Sequence, residues 1–249
     1  MDGHGRLLVE DDFLAPDNDL TWGTGTVKVG NFGFVSVNEG SFEWTIDEPG
    51  GIVAITTDTA DNDNAALMAG TFKPADGGME MYARFKYSNV DCAIFVGFSE
   101  TLALDTPVMP AEFATATMTY NGTGGMVGFN YDVDGTTDDF RALMGDGGAA
   151  ASDSANGTRA NATLTADRWI EAKVVVYPDG KAECWLGDSG HVSPSNVPIG
   201  RLIKHFKTGT VLTPGDVFYG VLMIENRTAN ARVLEVDKMA VKGNRDWAF

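Results

Sequence analysis

Residues 79–87 (MEMYARFKY) alternate between apolar and polar side chains, and this alternation constrains the fold more than any other feature of the chain. The odd positions are all apolar, and the even positions include Glu80, Arg84 and Lys86. Successive side chains of a β-strand point to opposite faces, so a period of two predicts a strand with one buried and one solvated face. Such a strand is typical of an antiparallel sheet that packs one face on the core.

Short runs rich in β-branched or aromatic residues repeat along most of the chain, with turn signals between them. The further predicted strands are residues 33–37, 51–57, 93–98, 113–120, 126–131, 170–177, 182–186, 217–224 and 233–241. Residues 177–181 (YPDGK) predict a hairpin turn, because Pro pre-sets the first turn position and Gly accepts a positive φ. No stretch predicts a helix of ten or more residues. The fold class is therefore all-β, as a sandwich or jelly roll.

The strand pattern predicts one large domain. Residues 1–30 mix acidic residues, glycine and single apolar residues without a clear period, which predicts an extended N-terminal arm. Residues 31–249 are then a single jelly-roll β-sandwich domain. Within it, the Gly/Ala/Ser-rich stretch at about 145–158 predicts a long exposed loop.

The charge and the cysteines limit the partners and the compartment. The net charge of -17, from 18 basic and 35 acidic residues, argues against nucleic acid and against an anionic membrane surface as partners. The first residues lack the basic and apolar regions of a signal peptide, which predicts a protein that is made in the cytoplasm of the host cell. Cys92 and Cys184 lie in apolar runs, which predicts two buried thiols, with one disulfide as the alternative.

One acidic segment offers ligands for a metal ion. Residues 131–139 (YDVDGTTDD) place hard oxygen ligands at close spacing, and a turn there would bring Asp132, Asp134 and Asp138 together around Ca²⁺. The alternative is an acidic hairpin loop whose side chains cap their own backbone. Residues 57–64 offer the same choice.

Catalysis has little support in the sequence. Retaining glycoside hydrolysis needs two carboxylates about 5 Å apart, and a Glu-x-Asp-x-Glu strand would supply them. Glu235 and Asp237 match the first two acids, but Met239 stands where the third would be. No Gly-x-Ser-x-Gly elbow and no Gly-rich phosphate loop is present. The sequence therefore predicts that the protein is not an enzyme.

The order of the predicted strands resembles the concanavalin A-like family of jelly-roll sandwiches. The matching pieces are residues 10–13 (EDDF), 51–57 (GIVAITT), 61–66 (DNDNAA), 79–85 (MEMYARF), 95–99 (FVGFS), 169–176 (WIEAKVVV) and 234–241 (LEVDKMAV). The resemblance spans roughly residues 30–242. It implies a two-sheet jelly roll of the kind found in lectins and glucanases.

Within that family the chain is most similar to single-domain structural proteins of tailed bacteriophages that decorate or cement the capsid. This similarity implies a non-enzymatic virion protein on the outer capsid surface, which bridges subunits of the major capsid protein as a homo-oligomer, with a trimer as the expected state. Aromatic and apolar residues of the arm and tail would make the contacts, since such residues are enriched at interfaces. These residues are Phe13, Leu14, Trp22, Trp247 and Phe249.

Two further expectations accompany this hypothesis. Deletion of residues 1–22 is expected to weaken capsid attachment and to leave the sandwich folded. The alternative function is a lectin-like carbohydrate-binding module that is Ca²⁺-dependent or metal-free, with a divergent glycosidase third. Trp169 and Trp185 are predicted to lie in the core, because large aromatic residues dominate sandwich interiors.

Overall fold

The computed structural model describes most of the chain. The described residues are 5–13, 27–45, 51–100, 107–114, 117–121, 124–146, 149–150, 157–160, 167–188, 201–207 and 212–245. Their strands are β1 (Gly5–Asp11), β2 (Val27–Val29), β3 (Phe32–Ser36), β4 (Ser41–Thr45), β5 (Ile52–Thr56), β6 (Asn64–Phe72), β7 (Met79–Tyr87), β8 (Cys92–Ser99), β9 (Ala111–Ala114), β10 (Thr117–Tyr120), β11 (Met126–Asp132), β12 (Arg141–Asp146), β13 (Ala149–Ala150), β14 (Thr158–Arg159), β15 (Ile170–Val176), β16 (Ala182–Asp188), β17 (Arg201–Phe206), β18 (Phe218–Asn226) and β19 (Val233–Arg245). A single 3₁₀ turn, Pro74–Asp76, is the only helical element among the described residues.

The strands form two large antiparallel sheets and one hairpin. The eight-stranded sheet has the order β17-β16-β15-β7-β19-β5-β4, and β1 pairs with β19 beyond the end of β5. The nine-stranded sheet has the order β13-β12-β11-β8-β18-β6-β3-β2, with β14 on β12. The hairpin consists of β9 and β10. The all-β jelly-roll fold predicted from the sequence is confirmed.

The main core lies between the two large sheets. Strand β7 alternates strictly between buried and half-buried residues, as its sequence predicts. Phe85 on this strand packs in one cluster with Phe129 and Phe140 from the other side of the sandwich. The cluster also contains Cys92 and Cys184, which are buried and free, so the structure has the two thiols that the sequence favours.

The nine-stranded sheet is buried on both of its faces at its centre. Every residue of β8 and β11 is buried, because the β9–β10 hairpin covers the face that points away from the main core. Phe113 and Met118 of the hairpin pack there against Phe95 and Met223 of the sheet. Because both faces of these strands are buried, their amino-acid sequences are continuous apolar runs without alternation.

The strand predictions succeed where the signal is local. The hairpin turn at 177–181 is confirmed: the N–H of Tyr177 donates to the carbonyl of Lys181 at 2.8 Å, and Gly180 has a φ of 78°. The single strand predicted at 113–120 is wrong, because the segment belongs to the two strands of the β9–β10 hairpin. No Gly, Pro or Asn marks a turn between 113 and 119, so the local sequence contains no turn signal there.

The described part of the predicted arm belongs to a sheet. Strand β1 pairs along its whole length with the last strand, from Gly5 opposite Arg245 to Asp11 opposite Met239. Described residues of the predicted loop at 145–158 belong to the end of β12, to β13 and to the start of β14. The described part of the chain has no helix that is long and apolar enough to span a membrane.

Candidate functional site

The outward face of the nine-stranded sheet, away from the main core, is closed by the chain itself. Three hydrogen bonds join the backbone of the hairpin region to side chains of the sheet. The side chain of Asn130 donates to the carbonyl of Ala111 at 2.7 Å, and that of Asn64 donates to the carbonyl of Pro107 at 2.6 Å. The N–H of Phe113 donates to Asp132 Oδ2 at 2.7 Å. The Arg141 guanidinium also lies 5.0 Å from the centre of the Phe113 ring. This face is therefore an interior and offers no open groove under the hairpin.

A buried guanidinium lies at the edge of this closed face. The side chain of Arg227 is 3% exposed and donates to Asp132 at 2.7 and 3.1 Å, to Glu225 at 2.6 Å and to Glu112 of the hairpin at 3.2 Å. Burial alone would lower the pKa of Arg227, but the hydrogen bonds and charges of these acids raise it above its usual value. Burial also raises the pKa of Glu225 to about 7, against the opposing charge of Arg227.

Two of the three predicted calcium ligands, Asp132 and Asp134, lie beside the guanidinium of Arg227. Both oxygens of Asp132 are engaged by Arg227, and Asp134 Oδ2 lies 3.7 Å from the same guanidinium. The N–H of Asp134 donates to Asp132 Oδ1 at 3.1 Å, as in the acidic-loop alternative, and Asp138 is exposed. In the described part of the chain, no group of three or more His, Cys, Asp or Glu side chains is arranged to hold a metal ion. The structure thus places a cation of its own where the sequence suggested Ca²⁺.

Of the five residues predicted to contact a partner, the structure describes only Phe13, and it does not lie on the surface. Phe13 is 1% exposed and packs against Phe32 with ring centres 6.1 Å apart, so it is a core residue and is not available as a surface anchor. Leu14, Trp22, Trp247 and Phe249 lie outside the described residues. Because β1 and Phe13 belong to the folded body, deletion of residues 1–22 would also damage the sandwich and would not test the arm alone.

The described residues leave the opposite side of the molecule open. The outer face of the eight-stranded sheet carries the half-buried even positions of β7 and their neighbours on β15, β16 and β19. Paired charges cover much of it: Arg84 lies 2.5 Å from Asp237 and 3.9 Å from Glu171, and Lys86 lies 2.8 Å from Glu235. Glu235 and Asp237, the acids that resemble a glucanase pattern, are therefore held in ion pairs on this face. Met239 is buried.

Two tryptophans predicted to be buried are found at this face. Trp185 is only partly buried on β16 and donates to Glu183 Oε2 at 3.2 Å, and Trp169 lies under the cations of Arg84 at 4.6 Å and Lys86 at 5.1 Å. The core prediction is wrong for both residues. On β16 the alternate residues Cys184 and Leu186 point inward, so Trp185 points outward.

Two adjoining hollows lie in the same face. The first, here called the Tyr82 hollow, has a volume of about 350 Å³ and is lined by β1, β7 and β19, including Leu8, Tyr82 and Lys238. The second, the Tyr177 hollow, has a volume of about 290 Å³ and lies between the 3₁₀ turn, the 177–181 hairpin turn and the end of β19. They share Glu80 and Lys242. Leu8 is 55% exposed and Tyr177 is 38% exposed, so apolar surface is open to solvent at both.

Ion pairs fix the polar groups of the Tyr82 hollow. Glu80 Oε1 lies 2.9 Å from the ammonium of Lys242 and 3.2 Å from that of Lys173, and Lys238 lies 2.5 Å from Glu10. Burial raises the pKa of Tyr82 above its usual value, so its phenol stays protonated. The hollows thus combine aromatic and aliphatic surface with a few oriented charged groups, as ligand sites do.

Sequence reasoning did not find this site. Its residues come from β1, β7, β15 and β19, which pair only in the folded sheet. The one available signal was the polar set of even positions in residues 79–87, which indicated a solvated face.

Comparison with known proteins identifies the fold. No family model matches the chain, and no curated protein matches its sequence. A solved structure of a protein of unknown function from Shewanella oneidensis MR-1 is similar with a TM-score of 0.61 and 16% identity, over 96% of this chain and 87% of that one. Peanut lectin is similar with a TM-score of 0.54 and 10% identity, over 97% and 99% of the two chains. The fold is a concanavalin A-like jelly roll.

Hydrolases share this fold as well as lectins. A 1,3-alpha-1,4-beta-D-galactose-4-sulfate-3,6-anhydro-D-galactose 4 galactohydrolase is similar with a TM-score of 0.53 and 10% identity, over 98% of this chain and 97% of that one. At identities of 16% or less, these similarities show a shared fold. Function has to be argued from the side chains of this chain.

Proposed function

We propose that this protein is a non-enzymatic, lectin-like module that binds a glycan on the outer face of the eight-stranded sheet. The observation that carries the proposal is the pair of adjoining hollows, which join exposed apolar and aromatic surface to oriented charged groups. The β9–β10 hairpin fills the other candidate face. Among the described surfaces, the outer face of the eight-stranded sheet is therefore the one that is open to a ligand.

The chemistry of the outer face suits a sugar. A pyranose ring has an apolar face that packs on an aromatic ring and hydroxyls that need fixed donors and acceptors. Tyr82 and Trp185 supply ring surface in one row across the sheet, with Lys173 paired in register between them. Strands are about 4.8 Å apart, so the two aromatic positions are about 10 Å apart, which favours an extended oligosaccharide over a single sugar.

The proposed absence of catalysis rests on the carboxylates. Glycoside hydrolysis needs one carboxyl group that donates a proton and a second that attacks or activates water. Glu235 and Asp237 each contact a cation at 2.8 Å or less, so both carboxylates are engaged in ion pairs within the protein. The two acids that resemble the glucanase pattern are therefore not free to act on a glycosidic bond.

Titration calorimetry against a panel of oligosaccharides tests the proposal, with Leu8→Gln as the site variant. Val108→Gln is a matched control, because Val108 is also 55% exposed but lies outside both hollows, beside the hairpin on the other sheet. We expect Leu8→Gln to weaken binding at least fivefold and Val108→Gln to leave it unchanged. Binding that is lost in neither variant, or that needs Ca²⁺ and disappears with EDTA, would contradict the proposed site.

Capsid decoration is the second candidate function, and one observation favours it. Strand β1 pairs only with β19 among the described strands, and Leu8 on it is more than half exposed. An edge strand of this kind can accept a strand from a neighbouring subunit. Light scattering on a sizing column separates the candidates: a stable trimer favours the capsid role, whereas a monomer that binds oligosaccharides favours the lectin-like role.

A further inference from the structure

Two ammonium groups share a single carboxylate oxygen at the Tyr82 hollow: Lys242 lines the hollow, and Lys173 borders it on the strand paired with Tyr82. Lys242 and Lys173 both pair with Glu80 Oε1, at 2.9 and 3.2 Å, and the two lysine side chains are 50% and 37% exposed. Each ammonium has three donors, so both can contact a further acceptor. One positive charge at this point has no matching carboxylate, in a chain whose net charge is -17.

Three neighbouring cations of this face each have at least one acid of their own. Lys86 has Glu235, and Arg84 lies between two carboxylates. Lys238 has Glu10 at the far side of the same hollow. Arg84 thus faces two carboxylates, whereas Glu80 is one carboxylate that faces two ammonium groups, and Glu80 lines a hollow large enough for a sugar unit.

The strand register sets the surplus charge beside an aromatic ring. Tyr82 is paired with Lys173 on one side and Ala240 on the other, and Glu80, two residues away on the same face, is paired with Lys242. Positions two apart on a strand are separated by about 6.6 Å, and adjacent strands by about 4.8 Å. A ring on Tyr82 would thus carry a charged substituent within reach of both ammoniums.

We propose that the Tyr82 hollow is selective for an anionic saccharide, a uronate or a sulfated sugar, whose carboxylate or sulfate contacts Lys173 and Lys242 while its ring packs on Tyr82. This inference rests on the proposed glycan-binding function and adds the class of ligand to it. A hydrogen bond between an ammonium and an anionic oxygen is roughly twice as strong as a neutral one, so the charged substituent would dominate selectivity.

Matched pairs of oligosaccharides test the charge. Tetragalacturonate and its methyl ester have one backbone and differ in charge, and a sulfated galactan oligosaccharide and its desulfated form make the same comparison for sulfate. We expect the wild-type protein to bind one of the two acidic forms at least tenfold more tightly than its neutral partner. The preference should shrink as salt is raised from 50 to 500 mM, because exposed charges are screened.

Two variants at the hollow change the charge in opposite directions. Lys242→Gln leaves Glu80 and Lys173 as a one-to-one pair, and we expect it to lower affinity for the acidic form tenfold with little effect on the neutral form. Glu80→Gln removes the competing carboxylate, and we expect it to raise affinity for the acidic form several-fold. Lys207→Gln is the control, because it makes the same change in net charge at an exposed lysine that lines neither hollow.

The outcomes separate failure of the inference from failure of the proposed function. Equal binding of acidic and neutral forms, sensitive to Leu8→Gln, would overturn the anionic ligand and keep the glycan-binding function. No binding of any oligosaccharide would overturn both. A poly-glutamate peptide that binds as tightly as the acidic oligosaccharides, with the same response to Lys242→Gln, would assign the hollow to an acidic protein segment and overturn the inference.

Discussion

Replacement of Arg227 by Met is expected to cost more stability than replacement of any exposed basic residue. Arg227 is the shared cation of Asp132, whose side chain is 0% exposed, and of Glu225, whose side chain is 5% exposed. Met keeps the length of the side chain but leaves both carboxylates buried without a counter-charge. Breaking a buried ion pair from one side costs about 3–5 kcal/mol. With an unfolding entropy of about 2.1 cal/mol/K per residue over 249 residues, this corresponds to a fall in Tm of about 6–10 °C.

Differential scanning calorimetry of Arg227→Met and two reference variants measures this effect. Lys181→Met removes one partner of an exposed pair with Asp179 and is expected to cost less than about 1 kcal/mol. The triple variant Arg227→Met, Asp132→Asn, Glu225→Gln removes the orphaned charges and is expected to recover at least half of the lost stability. Hydrogen exchange should show the β9–β10 hairpin opening first, since Glu112 and the Phe113 N–H join it to this cluster. A Tm within 2 °C of wild type, or a triple variant no more stable than the single one, would refute the assignment of Arg227 as the charge that holds the hairpin.

Three further predictions follow from single residues. Glu225 has a pKa of about 7 in the folded state, against 4.5 in an exposed chain. Its contribution to the free energy of unfolding is therefore full below pH 4.5 and falls by about 3 kcal/mol as the pH rises to 7. Urea titrations of Glu225→Gln should therefore show a gain in stability relative to wild type between pH 5 and pH 8. Gly180→Ala should lower stability by about 1 kcal/mol, because the turn needs a φ of 78°, and calorimetry would detect this. Burial raises the pKa of Cys92 and Cys184, so neither thiol should react with a thiol reagent at pH 8 until the protein is unfolded.

The elements predicted correctly from the sequence are those with a local physical signal. Strand β7 shows its period of two because only one of its faces is buried, and the 177–181 turn shows the residues that its geometry requires. Strand β6 was missed because six consecutive residues at its start are buried, which removes the alternation. A run that is apolar on both faces cannot be distinguished from other buried segments by its period.

The candidate site could be predicted only in part, because strand pairing assembles it from distant segments. The even positions of residues 79–87 indicated a solvated face, and that prediction is confirmed for Glu80 and Tyr82. Leu8 and Lys242 reach the same hollow because β1 pairs with β19 and β19 pairs with β7, and nothing in the local sequence encodes that order. The Arg227 cluster has the same origin, since β11 and the residue after β18 meet only across the sheet.

The energy needed to open the hairpin is the strongest reason to place binding on the outer face of the eight-stranded sheet. Phe113, Met118 and Tyr120 are each less than 8% exposed, and exposing a large apolar side chain costs about 1.5–3 kcal/mol. Lifting the hairpin would therefore cost about 5–9 kcal/mol before the polar contacts of Asp132 are counted. A ligand with a Kd between 1 mM and 1 μM supplies about 4–8 kcal/mol in total, which would be consumed by the opening. The hollows at Tyr82 and Tyr177 require no such opening, so a ligand of ordinary affinity would bind there.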